Sequence, residues 1–380
     1  MPLRFLLPIL AVLFPLTALA QPDRPRIRDL GVSPGVLPPG TLNAITDVPG
    51  VRVGHQTLRT GDSVRTGVTA VRPHADTLYQ QKVPAAVYVG NGFGKAAGFL
   101  QVQELGTLET PIVLTNTLSV GTAVESVVRW TLEQPGNADV RSVNAVVGET
   151  NDGYLNDIRG QHVTPRDVVA AIDSAADGPV AEGSVGAGTG TRALGWKGGI
   201  GTSSRRLPDA LGGATVGALV QANYGGILRI DGVRVGEKLG RYAYRDVLES
   251  GASGSDDATH DDGSCMVVLA TDAPISPRNL ERMAKRAVQG LARTGSFMSN
   301  GSGDFVIAFS TQNRRSGRAS RTDTLRPNAA MSPLFLATVE AVEEAVYNAL
   351  TTATTVRGRD GHVTEAIPID RLRTILDAAE

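Results

Sequence analysis

Residues 261–270 read Asp261-Asp262-Gly263-Ser264-Cys265-Met266-Val267-Val268-Leu269-Ala270. An acidic stretch ends in Gly-Ser and passes directly into an apolar run. Residues 250–262, SGASGSDDATHDD, are small and polar with no core signal, and they form the best linker in the chain. Met266–Ala270 is strongly strand-like. Gly263-Ser264 has two readings. One is a turn before a strand, where both residues are common. The other is a self-cleavage site. A hydroxyl can attack the preceding carbonyl only if that peptide is held close to it, and glycine at the acyl position removes the Cβ clash and tolerates strained backbone. Scission would leave Ser264 with a free α-amine of pKa ~8, able to take the proton of its own hydroxyl without a histidine.

Polar clusters elsewhere also follow or precede strand-like runs. Asn300-Gly301-Ser302-Gly303-Asp304 leads into Phe305–Phe309, as a hairpin-type turn or as a second hydroxyl and a carboxylate that hold the Ser264 amine and hydroxyl. Gly148-Glu149-Thr150-Asn151-Asp152-Gly153-Tyr154 is a polar turn, or it places a carboxylate where it can bind the ammonium of a free N-terminus. Ala222-Asn223-Tyr224-Gly225 ends a strand with an amide suited to an oxyanion.

Several function classes are excluded or disfavoured. A net charge of −1 over 380 residues leaves no nucleic-acid footprint. The five histidines (His55, His74, His162, His260 and His362) stand apart from one another and from the single cysteine at metal-ligand spacing, so neither a structural zinc nor a local triad is supported. They read as surface residues in turns. Cys265 could in principle supply a thiol, but it enters a strand and reads as a small buried residue; one cysteine also means no internal disulfide. The glycine-dense segment Gly183–Gly201 (GSVGAGTGTRALGWKGGIG) lacks the lysine-Ser/Thr ending of a phosphate loop and the spacing of a dinucleotide fingerprint. It reads as a tight wall near the active site, and no cofactor is expected.

The first twenty residues differ from the rest. Arg4 is followed by an apolar run, Phe5 to Leu16, broken by Pro8 and Pro15, and Thr17-Ala18-Leu19-Ala20 offers small residues before Gln21. The run is too short to span a bilayer comfortably, so 1–20 is expected to be a secretory signal and the mature chain to be secreted or periplasmic. Residues 21–43 read as an extended lead-in. Strands are expected at 51–53, 67–71, 85–89, 112–114, 143–147, 215–222, 227–230, 266–270 and 305–309. Helices are expected at 96–104, 121–132, from Pro165 with Thr164 as N-cap, at 277–291 and at 334–350. The pattern is mixed, without a regular βαβα rhythm or a fixed-period repeat.

Taken in order, these stretches carry a resemblance. Ile45-Thr-Asp-Val-Pro-Gly-Val-Arg-Val-Gly-His55, Gly67-Val-Thr-Ala-Val71, Gly90-Asn-Gly-Phe-Gly94, Glu149-Thr-Asn-Asp-Gly153, Gly186-Ala-Gly-Thr-Gly190, Gly199-Ile-Gly-Thr202 and Gly263-Ser264 through Ala270-Thr-Asp-Ala-Pro274 resemble the P1-type self-processing aminopeptidases. These form peptidase family S58, with L-aminopeptidase/D-Ala-esterase/amidases and β-peptidyl aminopeptidases among them. The resemblance implies an α+β, four-layer αββα sandwich like N-terminal nucleophile hydrolases but differently connected. It implies cleavage between Gly263 and Ser264, giving an α chain (21–263) and a β chain (264–380) of one domain. Ser264 becomes the nucleophile, Ser302 the second serine and Asn223 the oxyanion donor. Asp304 stands at an acidic position that is Glu in some members. Glu149 holds the substrate's amino group, with Tyr154 lining that pocket. Substrates implied are short peptides, amino-acid amides or esters, and assembly is as a homo-oligomer, often a tetramer. An acyltransferase of ornithine acetyltransferase-like architecture is disfavoured because those enzymes use threonine as the new N-terminus. A non-catalytic exported binding protein is disfavoured by the presence of the whole residue set.

Overall fold

A computed structural model describes residues 24–251, 263–316 and 324–379; the expected signal at 1–20 and most of the linker at 250–262 lie outside them. The main strands are β1 (Arg52–Thr60), β2 (Val64–Arg72), β3 (Gln81–Gly92), β4 (Ile112–Asn116), β5 (Val146–Thr150), β6 (Gly199–Arg206), β7 (Thr215–Asn223), β8 (Ser264–Thr271) and β9 (Gly303–Ser310). The long helices are α1 (Val120–Leu132), α2 (Pro165–Asp173), α3 (Pro277–Arg293) and α4 (Ser332–Thr351).

The strands form two sheets. One runs β1-β2-β4-β5, and the larger runs β3-β9-β8-β7-β6, extended beyond β3 by Arg315–Ser316. Within the larger sheet β8 and β9 are parallel, joined through α3, and the other neighbours are antiparallel. Strand β8 lies in the middle and is buried on both faces, which is why it reads as an unbroken apolar run. Cys265, Val267 and Leu269 pack into a core shared with α3 and α4, while Met266, Val268 and Ala270 pack into the core between the two sheets. A third core joins the smaller sheet to α1 and α2 through Val68, Ala70, Val113, Val127 and Ile172. Three cores between four layers make the αββα sandwich that the resemblance implied.

The amphipathic reading of α3 is matched side chain for side chain: Leu280, Met283, Ala284, Ala287 and Leu291 are all buried. Strand β6 was not visible in the sequence because its second half is Thr-Ser-Ser-Arg-Arg. Each polar group there has a specific partner. Thr202 donates to the Ala218 carbonyl at 2.7 Å, Ser203 to the Ala341 carbonyl at 2.5 Å and Ser204 to Asp47 at 2.7 Å. The fully buried Arg205 pairs with Glu340 at 3.1 Å and Glu344 at 2.8 Å, and Glu344 also takes Arg28 of the lead-in at 2.7 Å. A buried charge is tolerated when every partner is supplied, and removing one partner is costly.

Three other expectations need correction. The strand expected at 143–147 runs at Val146–Thr150, carrying Glu149 inside it. The segment 227–230 is not a strand, because Ile227 and Arg229 donate their backbone N–H groups to the Gly295 and Thr294 carbonyls of the turn after α3. The histidines are not uniformly surface residues. His55 sits on β1 against Thr69, 2.9 Å away, and burial lowers it to about 4; His74 is buried as well.

Close contact between layers makes a stability test. A Cβ at Gly201 would lie 1.9 Å from the Ala345 carbonyl oxygen and 2.6 Å from the Ala349 nitrogen, so only glycine lets β6 approach α4. Gly201→Ala is expected to cost about 1–3 kcal/mol by overpacking. Gly121→Ala, with nothing within 4 Å of its new methyl, is expected to be neutral or to gain up to about 1 kcal/mol from helix propensity. Thermal or denaturant unfolding of the two variants checks this; equal behaviour would mean that the β6–α4 contact is looser than described.

Candidate active site

Ser264 is the first residue of the central strand, so both sheet neighbours converge on it. Antiparallel β7 places Asn223 directly opposite, and parallel β9 places Gly303 opposite on the other side. The Ser264 hydroxyl oxygen accepts from Asn223 Nδ2 at 3.4 Å and from the backbone N–H of Asn151 at 3.3 Å. The Asn223 amide has a defined orientation, because its Oδ1 accepts from the Arg192 backbone N–H at 2.9 Å and its Nδ2 is thereby turned toward Ser264. These two donors orient the hydroxyl oxygen, and they place the Asn223 amide within a side chain's reach of an oxyanion formed on the acyl group that the hydroxyl attacks.

Gly263 is buried and has no space for a side chain: a Cβ there would lie 2.5 Å from Tyr224 Cα and 2.8 Å from the Asn223 carbonyl oxygen. The Gly263 carbonyl accepts from the Gly303 N–H at 3.2 Å, which draws electron density from the carbon that the Ser264 hydroxyl would attack.

Ser302 and Asp304 flank Gly303 and are buried. They lie one strand away from Ser264, and neither hydrogen-bonds its hydroxyl. Asp304 stands opposite Cys265 in the β8–β9 register. Burial raises its carboxyl to about 6, with the Ser302 hydroxyl partly offsetting that rise. Neither Ser302 Oγ nor either Asp304 oxygen has a partner of full hydrogen-bond geometry among the described residues. Polar groups buried this way are costly and mark a site built for something other than stability. Burial, and then the nearby Asp304, push the Cys265 thiol well above its usual range, so it stays protonated and the thiol reading loses its support.

Glu149 lies on the β9 side of Ser264. It is 3 % exposed, and its carboxylate accepts from the Lys95 N–H at 3.0 Å and from the Thr117 hydroxyl. A Cβ at Gly94 would touch both Glu149 Oε1 at 2.9 Å and the Phe305 ring at 3.0 Å, so the carboxylate sits beside the start of β9. Tyr154 lines an open cavity of about 580 Å³ together with Asn151, Arg192, Asn223, Arg359 and His362, while the buried Glu149 does not line it. The Tyr154 ring stacks on His362 with centroids 4.4 Å apart, and the Arg192 guanidinium lies over it at 3.8 Å.

Asn151, Arg192 and His362 were not singled out in the sequence. Asn151 acts through its backbone, which leaves no residue-type signal. Arg192 did leave one: it is the only charged side chain between Gly183 and Trp196. Among the described residues no three His, Cys, Asp or Glu side chains converge as a metal site.

Comparison with known proteins finds related sequences and structures over most of the chain. The profile of peptidase family S58 matches residues 43–364. Beta-peptidyl aminopeptidase BapA of Sphingosinicella microcystinivorans is 42 % identical over 385 residues, covering 95 % of this chain and 94 % of that one. The crystal structure of the PH0078 protein from Pyrococcus horikoshii OT3 superposes with a TM-score of 0.84 at 46 % identity, covering 93 % of this chain and 99 % of that one. The L-aminopeptidase D-Ala-esterase/amidase of Ochrobactrum anthropi, described as a prototype for the serine aminopeptidases and a new variant among the Ntn hydrolase fold, superposes with a TM-score of 0.82 at 39 % identity, covering 94 % and 99 %.

The Asp304 environment makes a linkage test. Its folded value of about 6 lies above the ordinary 3.8, so the fold favours the neutral acid. The stability this contributes is present at low pH and is lost as pH rises from about 4 through about 6. In a Ser264→Ala background, which lacks the hydroxyl that could cut the chain, the unfolding free energy of the Asp304 protein should fall across that window relative to Asp304→Asn. Parallel pH profiles would show that the carboxyl is not perturbed.

Proposed function

Because this chain belongs to peptidase family S58, we propose that it is a self-cleaving N-terminal-serine aminopeptidase or amidase that removes the first residue from short peptides, amides or esters. The observation that carries the reading is the convergence of Asn223 Nδ2 and the Asn151 N–H on the Ser264 hydroxyl at the start of a buried strand.

In this reading the Ser264 oxygen attacks the Gly263 carbonyl carbon, and the acyl group moves from nitrogen to oxygen. Water then hydrolyses the ester, releasing the Gly263 carboxylate and the Ser264 α-amine. Residues 21–263 and 264–380 remain together because β8 and β9 of the second fragment each pair with a strand of the first, β7 and β3 respectively. The new amine has an ordinary pKa of ~8, so it accepts the hydroxyl proton near neutral pH and returns it to the leaving amine. Asn223 Nδ2 donates to the developing oxyanion. Glu149 accepts the substrate's ammonium, and Ser302 and Asp304 complete the hydrogen bonding of the freed amine. No cofactor or metal takes part.

The reading extends to export and assembly. The leader at 1–20 directs secretion or periplasmic delivery, and the paired fragments associate as a homo-oligomer, a tetramer as in relatives of this kind. These two points rest on the sequence and the resemblance.

Intact mass and turnover test the proposal together. Wild-type protein should give two fragments meeting at Ser264 and should hydrolyse an amino-acid p-nitroanilide. Ser264→Ala should remain one chain and be inactive. Asn223→Ala should lower kcat by roughly 100- to 1,000-fold, as loss of an oxyanion donor does. Full activity in a protein whose Gly263–Ser264 bond is intact would end the proposal.

A further inference from the structure

We infer that Arg192 is the anchor for a carboxylate carried by the leaving residue of the substrate, so that short peptides with that negative charge are preferred over neutral amides. This rests on the aminopeptidase reading and adds a substrate class to it.

The first observation is direction. In the larger sheet, Ser264 lies between β9 and β7. Glu149 sits on the β9 side, beside Gly94 and Phe305. A substrate whose ammonium rests on Glu149 and whose scissile carbonyl oxygen reaches Asn223 has its leaving group in the remaining direction, away from the buried carboxylate, where the open space is the cavity of about 580 Å³ lined by Asn151 and Asn223.

The second observation is charge. The residues lining that cavity include Arg192 and Arg359 and no aspartate or glutamate. Neighbouring cations are already matched: Arg359 donates to the Gly153 carbonyl at 2.7 Å and pairs with Asp360, and Arg241 pairs with Glu365. Among the described residues the Arg192 guanidinium has no carboxylate partner and donates no hydrogen bond. It is exposed and rests on the Tyr154 ring at 3.8 Å. Stacking fixes the plane of the fork and leaves its N–H edge free, which is the arrangement that recognises a carboxylate with two parallel bonds.

The third observation is reach. The backbone N–H of Arg192 holds the oxyanion asparagine itself, at 2.9 Å from Asn223 Oδ1. The guanidinium is therefore tethered one side chain away from the scissile carbonyl, while the residue after the scissile bond extends its own carboxylate by about 3.5 Å or a little more. The carboxylate has two sources of the same chemistry, the free C-terminus of a dipeptide or an acidic side chain in the leaving position.

Kinetics with three substrates tests this, all built on an N-terminal residue that the enzyme removes from a p-nitroanilide. They are a dipeptide ending in alanine with a free carboxylate, the same dipeptide as its C-terminal amide, and a dipeptide amide with aspartate in the leaving position. Wild type should favour a carboxylate-bearing substrate over the neutral amide by about tenfold to a hundredfold in kcat/KM, the range for a charge-assisted pair. Arg192→Gln should lower kcat/KM for the carboxylate-bearing substrates, chiefly through KM, by at least about tenfold more than for the neutral amide, so that the preference disappears, and Arg192→Lys should restore part of it. Preference for the free acid assigns the C-terminus, and preference for the aspartyl substrate assigns the side chain. No preference in wild type, or an equal loss on all substrates in Arg192→Gln, overturns the inference. Failure to cleave the p-nitroanilide would instead count against the aminopeptidase reading itself.

Discussion

The fold is organised around the entry of one strand into the middle of a sandwich. Strand β8 is covered by helices on one face and by a second sheet on the other, so its first residues leave solvent abruptly. A backbone polar group there must find a protein partner or carry the full cost of desolvation. The Gly263 carbonyl finds the Gly303 N–H, and the Ser264 hydroxyl finds Asn223 and Asn151. These bonds would be needed for stability at any such entry. They also aim donors at a carbonyl and at a hydroxyl beside it, so structural necessity and catalytic preorganisation coincide.

The surrounding layers exist to hold that entry still. The two amide hydrogens of Gln221 on β7 are shared among the Thr115 carbonyl at 3.1 Å, the Thr150 hydroxyl at 2.8 Å and the Ala187 carbonyl at 3.0 Å, tying the larger sheet to the ends of β4 and β5. Asn151, which follows Thr150, is thereby fixed above Ser264. Behind the strand, Tyr224 donates or accepts with Thr294 at 2.9 Å, and burial raises its pKa well above the usual phenol. The dry side of β8 therefore keeps Tyr224, Cys265 and Asp304 toward their neutral forms. A charge formed at Ser264 meets the fixed dipoles of the Asn223 amide and the Asn151 N–H, and such dipoles act strongly in a low-dielectric site.

Much of the site was legible in the sequence because its residues stand at strand ends next to apolar runs: Asn223 closes one, Ser264 opens another, and Ser302 with Asp304 precede a third. The four-layer architecture was not derivable from periodicity. Strand β6 hides behind polar residues whose partners, such as Glu340 and Glu344 for Arg205, lie more than a hundred residues away. Tyr154 stands five positions from Glu149, and the strand β5 ends between them, so that Glu149 is buried within the strand while Tyr154 lines the open cavity. The His362 contact with Tyr154 brings together positions 208 residues apart, which no local pattern reveals.

Sheet order also bears on why a substrate would be read from its N-terminus. The β9 side of Ser264 is closed: Glu149 is buried there, against Gly94 and the Phe305 ring, and its carboxylate already takes a backbone N–H and a hydroxyl. A carboxylate in such a place can accept one compact cation but has no room for a chain continuing past it. The β7 side is open, with a cavity walled by stacked Tyr154 and His362. One blind, anionic end and one open, cationic end impose a polarity on anything bound across the serine. In the aminopeptidase proposed above, a peptide lies with its ammonium in the blind end and its remainder in the open one; reversed, it would set its carboxylate against Glu149. Exopeptidase specificity of this kind needs no recognition of side chains, only the asymmetry of the two sheet edges that meet at Ser264.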